Sequence, residues 1–231
     1  MIKKPIKAII WDLDGTLIHF KINSIKARKV AINILKKYDV PKNSLSIEKP
    51  ILENVKIARE LFKSNGLSSQ QIENIIKKVN ESIIKIEYQA AIKASLIEGI
   101  DEVLEFAKKQ NLKQAIFTYN TYNNAKISLE TAGIDHYFEI IVGRDNIKNL
   151  KPHPDHINYI CQKLGVIPDD IIVIGDTGRD IEAALNVGAY SIAINTIIPN
   201  FIKRDTFHKA NILLNPDEIP LKLIETIKDL L

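Results

Sequence analysis

Ile6-Lys7-Ala8-Ile9-Ile10-Trp11-Asp12-Leu13-Asp14-Gly15-Thr16 joins the chain's first apolar run to a short acidic turn. Residues 6 to 11, broken only by Lys7, predict a buried strand. Two carboxylates come next, two residues apart. On an extended segment that spacing aims both side chains the same way. Acids aimed together repel, so such a pair persists where a cation or a reaction uses it. Gly15 permits a sharp departure of the backbone. The pattern predicts a carboxylate pair at the carboxyl edge of a parallel sheet, where open α/β sheets place their ligands. Taken alone, Asp-x-Asp-Gly also fits an ordinary strand end and an Asp-Gly turn. The rest of the chain weighs against that simpler reading.

From about residue 97, helix and strand patterns alternate. Helices are expected over 100–109, 123–132, 155–164 and 179–187, with a last one from about 217. Strands are expected over 114–117, 139–142, 171–174, 191–194 and 211–214. Gly133, Gly165 and Gly188 stand just past three of the helices, as C-cap glycines do. This alternation predicts an α/β fold, a doubly wound parallel sheet of Rossmann-like form. Residues 19 to 95 are different and hold no strand pattern. Ile25, Val30, Ile34 and Leu35, then Val55, Ala58 and Phe62, then Ile72, Ile75, Ile76, Val79 and Ile83 recur at helical spacing. Breaks fall near Asp39-Val40-Pro41 and Asn65-Gly66. The expected organisation is a core of 1–18 and 96–231, with an all-helical cap of 19–95 inserted after strand 1. An insertion beside the acidic loop is well placed to act as a lid.

Composition narrows the partners. The chain has 231 residues, 45% hydrophobic and 26% charged, enough for a packed core. Its net charge of +4 comes from 32 basic and 28 acidic residues. So small a surplus reads as solvated helix faces, and it is compatible with a small phosphorylated metabolite. With aromatic content of only 6%, it gives no sign of nucleic-acid binding. Cys161 is the one cysteine, so no intramolecular disulfide forms, consistent with a reducing, cytoplasmic setting. No apolar stretch approaches a membrane span. Met1-Ile2-Lys3-Lys4-Pro5 leads straight to the first strand, so no signal peptide is expected. Monomer and homodimer both remain open.

Polar residues gather where strands end. Asp12 and Asp14 follow the first strand, Thr118 the second, and Asp176 and Asp180 the strand at 171–174. Lys151-Pro152-His153-Pro154 opens a helix. All these strand ends share one side of a parallel sheet. Asp12 and Asp176 offer the oxygen chemistry that Mg2+ prefers. Thr118 and Lys151 are donors suited to a phosphoryl group. His19, His136, His153 and His156 are scattered over the sequence without a shared face, which argues against a histidine-rich metal site.

These motifs resemble those of the haloacid dehalogenase (HAD) superfamily, in particular phosphoglycolate phosphatase-like members with a helical cap after the first strand. The likeness rests on Asp12-Leu13-Asp14-Gly15-Thr16-Leu17, Thr118, Lys151-Pro152-x-Pro154 and Gly175-Asp176-x-x-x-Asp180, in that order. It implies a Mg2+-dependent phosphatase acting on a small phosphate monoester. Asp12 would form an aspartyl-phosphate. Asp14 would be general acid, then general base. Asp12, Asp176 and the Asp14 carbonyl would bind Mg2+, with Asp180 ordering the metal shell. Thr118 and Lys151 would neutralise phosphoryl oxygens. Tyr119 stands where many members have Asn, with Asn120 next, which places Tyr119 among the expected substrate contacts. Asp14 disfavours a dehalogenase. A phosphomutase or pyrophosphatase of the same superfamily stays open. A non-enzymatic, phospho-accepting receiver-like switch shares the acids, Thr and Lys, but lacks the inserted cap and the second acid after Asp12.

Overall fold

A computed structural model describes residues 5–19, 22–196 and 206–231. The residues 1–4 behind the expected absence of a signal peptide lie outside these, as does Phe20. Contacts divide the chain into two compact units, Met1–Phe20 with Ala91–Leu231, and Lys21–Ala90.

The first unit is built on a six-stranded parallel sheet. Its strands are β1 (Ala8–Trp11), β2 (Lys113–Phe117), β3 (Ile140–Val142), β4 (Ile171–Gly175), β5 (Tyr190–Ile194) and β6 (Ile212–Leu214). They lie in the order β3-β2-β1-β4-β5-β6. Every neighbouring pair is parallel. The order reverses direction between β1 and β4, which makes that gap the topological switch point. The helices of this unit are α4 (Ile100–Lys109), α5 (Tyr122–Ala132), α6 (Pro154–Leu164), α7 (Gly178–Val187) and α8 (Leu221–Lys228).

The period of two along β1 explains why its whole run is apolar. Ile9 and Trp11 pack with α4, α5 and α8 on one face. Ala8 and Ile10 pack with α6 and α7 on the other. A strand covered on both faces cannot alternate polar with apolar. The last helix starts at Leu221 instead of near 217. Residues Pro216–Glu218 form one 3-10 turn, and Pro220 intervenes before the helix begins.

The second unit is all helical: α1 (Ser24–Lys36), α2 (Ile51–Ser64) and most of α3 (Ser69–Ala91). Its own core joins Ala31 and Leu35 to Ala58 and Phe62 and to Ile72, Ile76 and Val79. Asn54 pins the α1–α2 connection, accepting the Ser46 N–H at 3.0 Å and donating to the Ser46 carbonyl at 2.8 Å. At the insertion the outgoing and returning segments run antiparallel. His19 N–H donates to Ser95 O at 3.0 Å, and Ile97 N–H to Leu17 O at 2.9 Å. Among the described residues, no helix is long and apolar enough to cross a membrane.

Candidate active site

The carboxyl ends of β1, β2 and β4 carry the polar residues, and most of these are buried. Asp12 follows β1, Thr118 follows β2, and Asp176 follows β4. Carboxylate oxygens of Asp12, Asp176 and Asp180 all lie within 4.8 Å of one another. Gly15 makes this convergence possible. Its φ is +92°, and a Cβ there would stand 2.2 Å from Asp176 Oδ2. Only glycine takes that turn and leaves room for the facing acid.

Among the described residues, one buried cation pairs with two of these three acids. Lys151 is 3% exposed. Its ammonium donates to Asp12 Oδ1 and, at 3.1 Å, to the Phe117 carbonyl. It also pairs with Asp180 Oδ1 at 2.7 Å, an ion pair outside hydrogen-bond alignment. Burial alone would lower the Lys151 pKa; the charges of Asp12 and Asp180 outweigh it and raise it above the ordinary lysine value. The remaining hydrogen bonds are local. Thr16 Oγ1 donates to Asp12 Oδ2 at 3.2 Å. Asp180 Oδ2 accepts from the Thr177 N–H at 2.9 Å and its hydroxyl at 2.5 Å. Thr196 Oγ1 donates to Asp176 Oδ2 at 3.0 Å.

Asp176 Oδ1 is buried and has no hydrogen-bond partner among the described residues. Burial, then the charges of Asp12 and Asp180, push its pKa up to about 9. Burial also raises Asp12, to about 6, against the pull of Lys151. An orphaned oxygen among crowded acids is what a hard, oxygen-preferring dication would satisfy. The residues present therefore fit Mg2+.

Asp14 lies apart from the triad. It is half-buried, and its Oδ2 accepts from Asn120 Nδ2 at 2.5 Å. Thr118 Oγ1 accepts the Asn120 N–H at 3.1 Å. Tyr119, an expected substrate contact, donates its phenol to the Lys151 main-chain carbonyl. Its ring centroid is 5.7 Å from the Lys151 ammonium and 5.2 Å from the Arg179 guanidinium. Asn120, Thr16 and Thr196 were not expected from the sequence as partners of the acids. For Asn120 its place two residues after Thr118 was the available signal. Of the four histidines weighed as metal ligands, only His156 is buried, and it contacts the Lys151 main chain.

The family model for haloacid dehalogenase-like hydrolases matches residues 9–194. A phosphorylated carbohydrates phosphatase from Thermotoga maritima is 28% identical over 183 residues, 79% of this chain and 82% of its own. A phosphoglycolate phosphatase from Haemophilus influenzae is 28% identical over 230 residues, covering 90% of this chain and 98% of its own. The crystal structure of β-phosphoglucomutase from Clostridium difficile superposes with a TM-score of 0.70 at 19% identity, over 97% of each chain.

Proposed function

Because the chain belongs to the haloacid dehalogenase-like hydrolase family, we propose that it is a Mg2+-dependent phosphatase of a small phosphate monoester. The observation that carries this reading is Asp12 itself, a buried carboxylate held by Lys151 and Thr16 and facing an acid with an orphaned oxygen. Asp12 attacks phosphorus, the bond to the leaving oxygen breaks, and an aspartyl-phosphate forms on Asp12. Asp14 gives its proton to that leaving oxygen. It then takes a proton from water, which attacks phosphorus, and Asp12 is released with inorganic phosphate. Asn120 holds Asp14 during both transfers. Thr118 and Lys151 meet the phosphoryl oxygens. Asp12, Asp176 and the Asp14 carbonyl would hold Mg2+, with Asp180 ordering the shell. Once bound, Mg2+ offsets the charge of the acids and polarises the phosphoryl group.

Every group in this scheme belongs to the first unit. On this reading the choice of leaving group falls to the inserted helical unit, the expected cap. A cytoplasmic phosphorylated metabolite is the substrate class this implies. The activities for which the two phosphatase relatives are named support the same class.

The test is a panel of phosphorylated sugars and organic acids, including 2-phosphoglycolate, assayed for free phosphate. EDTA should abolish turnover and Mg2+ should restore it. Asp12→Asn should also be inactive, while its stability holds or rises. Lys151 keeps its pairing to Asp180 in that variant, and one crowded charge is gone. Phosphate release by folded Asp12→Asn at the wild-type rate would refute the nucleophile. An isomerised ester in place of free phosphate would instead identify a phosphomutase.

A further inference from the structure

The two phosphate donors are tied together on one imidazole behind the site. His156, on α6, is fully buried. Its Nδ1 accepts the Lys151 main-chain N–H at 3.2 Å. The ring proton therefore sits on Nε2, which donates to the Val142 carbonyl at 3.1 Å. That same carbonyl accepts the Thr118 N–H, also at 3.1 Å. The ring meets Phe117, the residue before Thr118, edge-on at 5.6 Å. One ring is thus bonded to the main chain of Lys151 and shares an acceptor with the main chain of Thr118.

A buried histidine is commonly just a satisfied core group. This one differs in what satisfies it. One nitrogen binds the peptide of a phosphate donor, and the other ends on the carbonyl that anchors the second donor. The ring thereby links the end of β3 to the loop that opens α6. We propose that His156 is a positioning residue that sets the spacing between the Thr118 hydroxyl and the Lys151 ammonium. The role rests on the reading of those two groups as phosphate donors.

The arrangement requires a neutral ring. An imidazolium would turn Nδ1 into a donor facing the Lys151 N–H. Burial and the Lys151 charge keep the ring neutral, although the bond to the Val142 carbonyl and then Asp180 pull the other way.

Three substitutions separate the two arms. His156→Asn keeps an acceptor near the Nδ1 position but cannot reach Val142. His156→Gln keeps a donor near the Nε2 position and gives up the bond to Lys151. His156→Leu gives up both. The probe is vanadate with Mg2+, followed by the fluorescence of Trp11, the chain's one tryptophan and the neighbour of Asp12. Each single-arm variant should weaken vanadate binding and lower kcat by roughly 10- to 100-fold, the scale of a displaced binding group. His156→Leu should lose at least as much. Mg2+ affinity should stay at the wild-type value, because no Mg2+ ligand touches the ring. Variants with protected β1 and β4 amides and wild-type vanadate affinity would overturn the role. If His156→Leu fails to fold, the Asn and Gln variants decide. Failure of the wild-type protein to bind vanadate would overturn the functional reading, and the role with it. In wild-type protein, 15N spectra of the ring at neutral pH should show the Nε2-protonated tautomer; the other tautomer, or an imidazolium, would overturn the proposal independently.

Discussion

At the residue scale, Asp14 separates a phosphatase from its rivals most sharply. It accepts from Asn120 and stands outside the acid triad, so Asp14→Asn should leave Asp12, Lys151 and Thr118 in place. The amide cannot shuttle a proton. With an alkyl phosphate, the first step should slow by about 10²–10⁴-fold. With p-nitrophenyl phosphate, whose leaving group barely needs protonation, that step should suffer much less. The second step still needs a base, so phospho-enzyme should build up as a burst that stalls. Acid-quench trapping measures it; equal losses on both substrates with nothing trapped would make Asp14 structural. His156 supports a second expectation, on stability. Burial and the Lys151 charge lower its pKa from 6.5 to about 4 in the folded protein. A depressed folded value contributes stability that is present above pH 6.5 and lost as pH falls toward 4. The loss amounts to about 3 kcal/mol at most. Thermal unfolding of wild type and His156→Gln across that window checks it, and equal slopes would refute it. The convergence of Asp12, Asp176 and Asp180 was legible because these acids follow strand ends, and that of Lys151 because it stands before a helix start. His156 and Asn120 were not, because a partner on a main-chain carbonyl or a distant acid appears only once strands are in register.

At the scale of elements, the loop after β1 does the most with the fewest residues. It places Asp12 beneath Lys151 and turns at Gly15 directly against Asp176. Gly15→Ala adds a methyl group where there is no room and forces a left-handed backbone on a residue with a Cβ. The backbone strain alone costs on the order of 1–3 kcal/mol. The loop lies at the carboxyl end of β1, beyond the strand pairings with β2 and β4, so the fold should survive with a lower Tm. Asp176 must move, so Mg2+ affinity should fall, and titration against Trp11 fluorescence measures it. Unchanged Mg2+ affinity in the folded variant would show that the contact is slack. Elements were the most legible level of this chain. Strands covered on both faces appear in sequence as unbroken apolar runs, and α5, α6 and α7 end at C-cap glycines. The ends were less so. β3 and β6 have three residues each, so a shift of one residue at either end is a large part of the element. Pro220 delays α8 in a way that apolar periodicity does not register.

At the scale of the whole molecule, the two units have separate cores, and the proposed function gives them separate tasks. The sheet buries one set of apolar residues, and the inserted helices bury another around Phe62. Phe62 is fully buried on α2. Its replacement by Ala removes a large side chain from the core shared by three helices, at a cost of about 3–5 kcal/mol. Units with their own cores open as separate cooperative blocks. Amide exchange in α1, α2 and α3 should therefore quicken in Phe62→Ala, while β1, β2 and β4 keep their protection. Vanadate with Mg2+ should still bind, since Asp12, Thr118, Lys151 and Asp176 all belong to the first unit. Discrimination among phosphate esters should narrow, with kcat/KM falling most for the best substrate of the panel. The opposite pattern is decisive. If vanadate binding disappears while the sheet stays protected, the inserted helices supply part of the phosphate site, and the division between chemistry and selection proposed for the two units is wrong.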